Sequence, residues 1–231
     1  MVWSFRSAKR KVDVNHTYTL DEISSKLFSA VLSDILDSVG ITGQVANQSL
    51  RPLHPDMRVV GYARTARGVT VNRVPAHPYV KLLGSIDSLT NEQVLIIGLE
   101  PTSVSAMFGG LLATAVQVAG GRGVIVDGNI RDAKEIESLG MPTFMRGLLP
   151  LDSYGRDEVV EVDGPIVLGG VLVYPGDLVL ADFDGVVVVP QAVEDQVLTA
   201  AFRKVEGEGE VRLALRAGMS TADAFEKFGI L

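Results

Sequence analysis

Between Gly109 and Val126 the chain sets an apolar helix directly before a short, wholly apolar strand, and few folds accept that order. Gly109-Gly110 opens the helix, Leu111, Leu112 and Ala115 carry it, and Gly120-Gly121 stops it. Gly123-Val124-Ile125-Val126 then lacks the alternation of a half-exposed strand, so it reads as a strand buried on both faces, the mark of a parallel sheet covered by helices. Asp127-Gly128-Asn129 has the composition of a turn just past that strand's carboxyl end, the edge where open α/β sheets bind ligands. Arg131-Asp132 follows at once, and Glu135 and Glu137 begin another helix. A helix start, a strand end and an Arg-Asp pair are thus expected to converge.

Around this stretch the chain reads as one α/β unit. Residues 1–18 show no periodicity and are expected to form an arm; 19–231 form the domain. A single helix is expected over Leu20–Val39, with Ile23, Leu27, Val31 and Ile35 on one face, Thr19 and Glu22 as a capping box and Gly40 as the stop. Arg58–Val74 reads as strand with a turn or bulge at Gly68, Tyr79–Leu89 as a short helix, and Val94–Leu99 and Met141–Phe144 as strands. From Glu158 to Val189, short β-branched runs separated by Gly, Pro and Asp predict antiparallel hairpins. Pro190 starts a long helix to about Ala217, weakened at Gly207 and Gly209, and Thr221–Phe228 closes the chain as a short one.

Composition narrows the chemistry. At 231 residues and 47% hydrophobic the chain can bury a sizeable core, and its net charge of −7 leaves no basic face for nucleic acid. The one basic cluster, Arg6–Lys11, lies in the arm and reads as a solvated tail. Without cysteine there is no disulfide, thiolate metal site or cysteine nucleophile, and the three histidines lack metal-ligand spacing. No apolar run is long enough to span a bilayer and the start lacks a signal-peptide core, so a soluble cytoplasmic protein is the simplest expectation. Asp182-Phe183-Asp184-Gly185 lacks the ladder of a calcium loop and reads as a turn. Gly121-x-Gly123 precedes its strand instead of following it, so it is no dinucleotide fingerprint.

Gly110, twenty intervening residues, then Arg131-Asp132 and Glu135 resemble the signature of the RraA-like family. Val31-Leu32-Ser33-Asp34, Gly169-Gly170-Val171, Pro175-Gly176-Asp177, Ala181–Val187, Gly218-Met219-Ser220 and the closing Phe228–Leu231 extend the resemblance over most of the chain. That family includes 4-hydroxy-4-methyl-2-oxoglutarate aldolases that also decarboxylate oxaloacetate, and a protein regulator of ribonuclease E. The resemblance implies a three-layer β/β/α swivelling-type fold in trimers or hexamers. It also implies a carbon–carbon lyase dependent on Mg²⁺ or Mn²⁺, acting on a 2-oxo acid.

The parts for that chemistry are few. A carboxylate holds the cation, the substrate's own oxygens complete the shell, and a protein cation stabilises the enolate formed as the C–C bond breaks. Asp132 and Arg131 suit the first and last roles. Backbone N–H groups of Leu111 and Leu112, behind Gly109-Gly110, are placed to bind the substrate carboxylate at a helix N-terminus. The bland alternative is a helix cap and a surface ion pair worth ~0–1 kcal/mol. The resemblance further implies a second carboxylate reaching the metal through water from an adjacent subunit's C-terminal helix. Glu208 is the best match, with Glu206 and Glu210 as rivals. One departure stands out: characterised aldolases often carry an acid where this chain has Gly110, so the proton-relay acid is missing or supplied elsewhere, and decarboxylation of oxaloacetate is a firmer expectation than aldol cleavage. Lys134 as a Schiff-base nucleophile would have to be buried and deprotonated, against its acidic surroundings. The rival from another class is a non-enzymatic regulator that binds an RNA-degrading endonuclease through an acidic surface. No S-adenosylmethionine-type loop supports a methyltransferase.

Overall fold

The structure, a computed structural model, describes residues 17–229, so the arm expected over 1–18 lies almost wholly outside the described residues. In chain order the elements are α1 (Leu20–Lys26), α2 (Ser29–Ser38), β1 (Arg51–Pro52), β2 (Val59–Thr70), α3 (Val80–Asp87), β3 (Gln93–Gly98), β4 (Ala106–Phe108), α4 (Gly110–Ala119), β5 (Gly123–Ile130) and α5 (Ala133–Leu139). There follow β6 (Thr143–Leu148), β7 (Asp157–Val162), β8 (Ile166–Leu168), β9 (Val171–Val173), β10 (Leu178–Ala181), β11 (Val186–Val189), a 3-10 turn at Gln191–Val193, α6 (Glu194–Arg216) and α7 (Thr221–Phe228).

Nine strands form one mixed sheet, ordered β1-β6-β5-β3-β2-β10-β11, with β4 added to β5 and β7 to β2. Strands β2, β3, β5 and β6 run parallel; β10, β11, β7 and β1 join antiparallel. The bulge expected at Gly68 is real, because the β2–β7 register shifts between Arg67 and Gly68. Alternate residues of the central strands feed different layers. Leu95, Ile97, Val124 and Val126 pack under α3, α4 and α5 through Leu82, Ile86, Ala113, Val116 and Ile136. On the antiparallel half, Val60, Leu178, Leu180, Val187 and Val189 pack against α1, α2 and α6. The opposite face, including Val94, Ile96, Ile125 and Phe144, is closed by the β8–β9 ribbon. Ribbon, sheet and helices make the three layers. Full burial on both faces explains why these strands are unbroken apolar runs, each large side chain contributing about 1.5–3 kcal/mol.

Two expectations need correction. The helix over Leu20–Val39 is two helices, because Leu27 and Phe28 are extended and Ser29 restarts the chain. Asp182 explains the break, accepting from Ser29 N at 2.8 Å and Ser29 Oγ at 2.6 Å. Asp127-Gly128-Asn129 is not a turn but the continuation of β5 to Ile130, with pairing to β6 shifting between Val126 and Asn129. Its turn-forming residues are there for side-chain reasons: Asp127 is buried and accepts from Arg146 and from Gly169 N, tying the sheet to the ribbon. The long helix expected from Pro190 is present as α6, continuous through Gly207 and Gly209 after the 3-10 turn. The turn read at Asp182–Gly185 is present, closed by Asp182 N to Gly185 O at 3.0 Å.

Candidate active site

The site is assembled by a strand pairing that the sequence does not advertise. Short β4 lies parallel to β5, with Phe108 opposite Ile130, and Arg131 N donates to Phe108 O at 2.9 Å. The residues just beyond each strand, Gly109-Gly110 and Arg131-Asp132, are thereby side by side. Gly109 is extended and caps α4, whose first N–H groups have no acceptor within the helix. Asp132 holds the N-cap position of α5 in a left-handed conformation (φ 58°) but makes no side-chain cap. Its carboxylate turns across instead, and Gly110 N donates to Asp132 Oδ2 at 3.2 Å. The helix-cap alternative is therefore not what Asp132 does with its side chain.

Both glycines let these side chains approach closely. A Cβ at Gly109 would stand 2.7 Å from Asp132 Oδ2 and 3.0 Å from the Arg131 Cγ, and one at Gly110 would collide with the Glu135 carboxylate. The Glu135 carboxylate, from the first turn of α5, thus lies against Gly110.

A pocket of about 320 Å³ opens here, lined by Gly109, Leu111, Leu112, Arg131 and Asp132 together with residues from elsewhere in the chain, including Tyr79 and Asp152. Arg131 stands between two acids, Nε 3.7 Å from Asp132 Oδ2 and Nη1 3.5 Å from Asp152 Oδ1. Both pairs are loose and part-exposed, so they add little stability and leave guanidinium donors for a ligand. Asp152 arrives through a bridge to Ala106, with Ala106 N donating to Leu151 O at 2.7 Å. Tyr79, at the start of α3, donates its hydroxyl to Asp152 Oδ2 at 3.3 Å. Burial first, and then the Asp152 carboxylate, push the Tyr79 phenol above its ordinary range, so it stays a donor at neutral pH. Sequence reasoning missed Asp152 and Tyr79. Neither has a local signal, because each reaches the pocket only through long-range pairing.

Glu208 is not brought to this pocket within one chain. It lies on α6, 4.0 Å from Lys204, in the half of the molecule where α6 packs on α2. Lys134 is 92% exposed and pairs with Glu137 at 2.6 Å, which removes the buried amine that a Schiff base needs. Among the described residues no three His, Asp or Glu side chains group to hold an ion by themselves. Asp132 alone, part-exposed at a pocket mouth, still has the donor chemistry of Mg²⁺, which keeps several waters and takes one or two carboxylates plus substrate oxygens. No described helix is long and apolar enough to cross a membrane.

The model of the family described as RraA-like, Aldolase/RraA, matches residues 29–188. The chain belongs to the RraA-like family. A Halalkalibacterium halodurans protein provisionally named 4-hydroxy-4-methyl-2-oxoglutarate aldolase is 30% identical over 181 residues, covering 78% of this chain and 80% of its own. A Thermus thermophilus protein with the same name, unqualified, is 33% identical over 43% of this chain and 60% of its own. The crystal structure of Streptomyces coelicolor RraAS2, described as an unusual member of the RNase ES inhibitor RraA protein family, superposes with a TM-score of 0.74 at 28% identity, covering 84% of this chain and 94% of that one.

Proposed function

We propose that this RraA-like chain is a divalent-metal-dependent lyase that cleaves or decarboxylates a 2-oxo acid through a pyruvate enolate. The observation that carries the reading is Arg131 set loosely between Asp132 and Asp152, at the open N-terminus of α4. Asp132 would hold Mg²⁺ or Mn²⁺, which when bound supplies positive charge that polarises the 2-oxo acid. Glu208 could join that cation's shell only from a neighbouring copy, as in a trimer or hexamer.

The chain's own groups do the rest. The Leu111 and Leu112 N–H groups bind the substrate carboxylate at the positive end of α4. Arg131 donates to the keto oxygen. With oxaloacetate, the bond between C3 and the departing carboxylate breaks, carbon dioxide leaves, and the electron pair moves into the pyruvate enolate. Arg131 stabilises the negative charge that develops on that oxygen. Protonation of C3 gives pyruvate. Glu135 and Asp152, the carboxyl groups beside the pocket, are the candidates to pass that proton in place of an acid at position 110.

The test is pyruvate release from oxaloacetate with and without Mg²⁺, beside Asp132→Ala protein, since free metal accelerates the spontaneous reaction. Metal-dependent turnover lost in the variant is the expected result. Equal rates for both proteins would sink the reading for this substrate. Retained binding to an endonuclease partner by Asp132→Ala protein would then favour the regulator role that the name of the Streptomyces relative suggests.

A further inference from the structure

Three non-glycine residues among those described take the left-handed backbone region: Tyr79 (φ 67°), Asp132 (φ 58°) and Asp163 (φ 61°). Asp163 sits in the turn between β7 and β8 beside Gly164, where a short polar residue adopts this conformation readily. The other two, more than fifty residues apart, meet at one pocket. For an aromatic residue the conformation is sterically unfavourable and persists only where neighbours impose it. At Tyr79 they do. Its N–H donates to Glu158 Oε1 at 3.1 Å, and its carbonyl accepts from Leu83 N at 2.9 Å in the first turn of α3.

The consequence is where the phenol lies. Its hydroxyl donates to Asp152 Oδ2, while Asp152 Oδ1 accepts from Ser153 N at 2.9 Å and faces Arg131 Nη1. The Asp152 carboxylate is therefore gripped at both oxygens, and the side of it that meets Arg131 is fixed from behind by Tyr79. An extended or right-handed backbone at position 79 would redirect the Cα–Cβ bond and break this arrangement. We infer that Tyr79 is a positioning residue for the reaction: its hydroxyl holds Asp152 so that this carboxylate keeps Arg131 aimed into the pocket. The role rests on the lyase reading. Tyr79 acts through Asp152 and not on the substrate, and the left-handed turn held by Glu158 is the device that aims it.

A merely structural tyrosine would also line a pocket, so the test is a double-mutant cycle on magnesium-dependent oxaloacetate turnover. Losing a hydrogen bond to a charged partner is expected to lower kcat of Tyr79→Phe about tenfold. KM should stay within about twofold, as for a group that does not bind substrate. The melting temperature should be unchanged. Asp152→Asn should lose at least as much, and the double variant no more than Asp152→Asn alone, because the charged carboxylate that the hydroxyl positions against Arg131 is gone. Wild-type kcat in Tyr79→Phe, or a double variant whose loss is the product of the two single losses, overturns the inference. A spectrum of ring-labelled tyrosine reads the contact without turnover: the resonance absent from Tyr79→Phe must move in Asp152→Asn, and a stationary one overturns it. A wild-type protein with no turnover sinks the lyase reading and this role with it; an active wild type with an additive cycle sinks this role alone.

Discussion

The buried carboxylates of the sheet and those at the pocket are used in different ways. In the antiparallel half, Asp177 is almost fully buried and accepts from Tyr174 N at 2.8 Å and Gln191 N at 3.2 Å. Asp182 caps α2, and buried Glu194 accepts from the Tyr62 hydroxyl at 3.0 Å. Burial, and then Glu194, push that phenol up, so it remains a donor. In the parallel half, the side chains of Asp132 and Asp152 are 45% and 41% exposed, with charged neighbours no closer than 3.5 Å. The residue type is the same. What differs is not the presence of donors, since Asp152 accepts from Tyr79 and Ser153 N and Asp132 from Gly110 N, but that these two side chains stay part open to a pocket and so to something that arrives from solution.

Crossing the two classes breaks or upholds this division. The largest effect is expected from Arg131→Ala. Removing the group that meets the developing enolate charge should cost about 10²–10³ in kcat, as for other oxyanion donors, with little change in melting temperature. Asp177→Ala is the converse. It strands two part-buried N–H groups and should destabilise the fold by about 2–3 kcal/mol in urea unfolding, with kcat per folded molecule unchanged. If Asp177→Ala impaired turnover in fully folded protein, the division between structural and functional acids would fail.

Those two residues also mark how far the sequence could be read. The parallel core was legible because burial on both faces leaves its signature in consecutive residues: Val94–Leu99 and Gly123–Val126 are apolar without interruption. Arg131 and Asp132 stood out because they follow such a run. The break between α1 and α2 was not legible. Ile23, Leu27, Val31 and Ile35 keep their spacing and are all buried, yet the donor groups of Ser29 are met by Asp182, 153 positions away. Asp152 and Tyr79 were hidden for the same reason. Periodicity reports what a residue's own element buries and is silent about which distant side chain supplies its hydrogen bonds.

A smaller effect separates the ribbon from the site. A Cβ at Gly98 would stand 2.9 Å from Val167 O, and backbone cannot yield as a flexible side-chain end does. Gly98→Ala should therefore push β8 off β3 and cost about 2 kcal/mol by overpacking. The pocket lies on the helical side of the sheet, so oxaloacetate kinetics should be unaffected below the melting transition. A shifted KM would show that the ribbon and the site are coupled through the sheet.

The smallest expected effect tests the criterion itself. Glu22 is exposed, as Asp132 is, yet it belongs with the structural acids: Thr19 N and Thr19 Oγ1 both donate to its Oε2 at 2.8 Å, and Glu22 N donates to Thr19 Oγ1 at 3.2 Å. Exposure alone therefore does not mark a functional carboxylate; a place in the pocket beside Arg131 does. Thr19→Ala should cost about 1 kcal/mol, the usual worth of such a cap. The backbone and then the side-chain hydrogen bonds from Thr19 hold the Glu22 carboxyl below its ordinary 4.5. Because the folded-state value is the lower one, its contribution is complete above the unfolded value and is lost as pH falls through the folded value. Glu22→Gln should accordingly melt below wild type at neutral pH, with the gap closing in acid. A gap that persists unchanged as pH falls below the folded-state value would mean that charge plays no part in the cap. Glu22 would then no longer serve as the exposed but committed acid against which Asp132 and Asp152 are set apart.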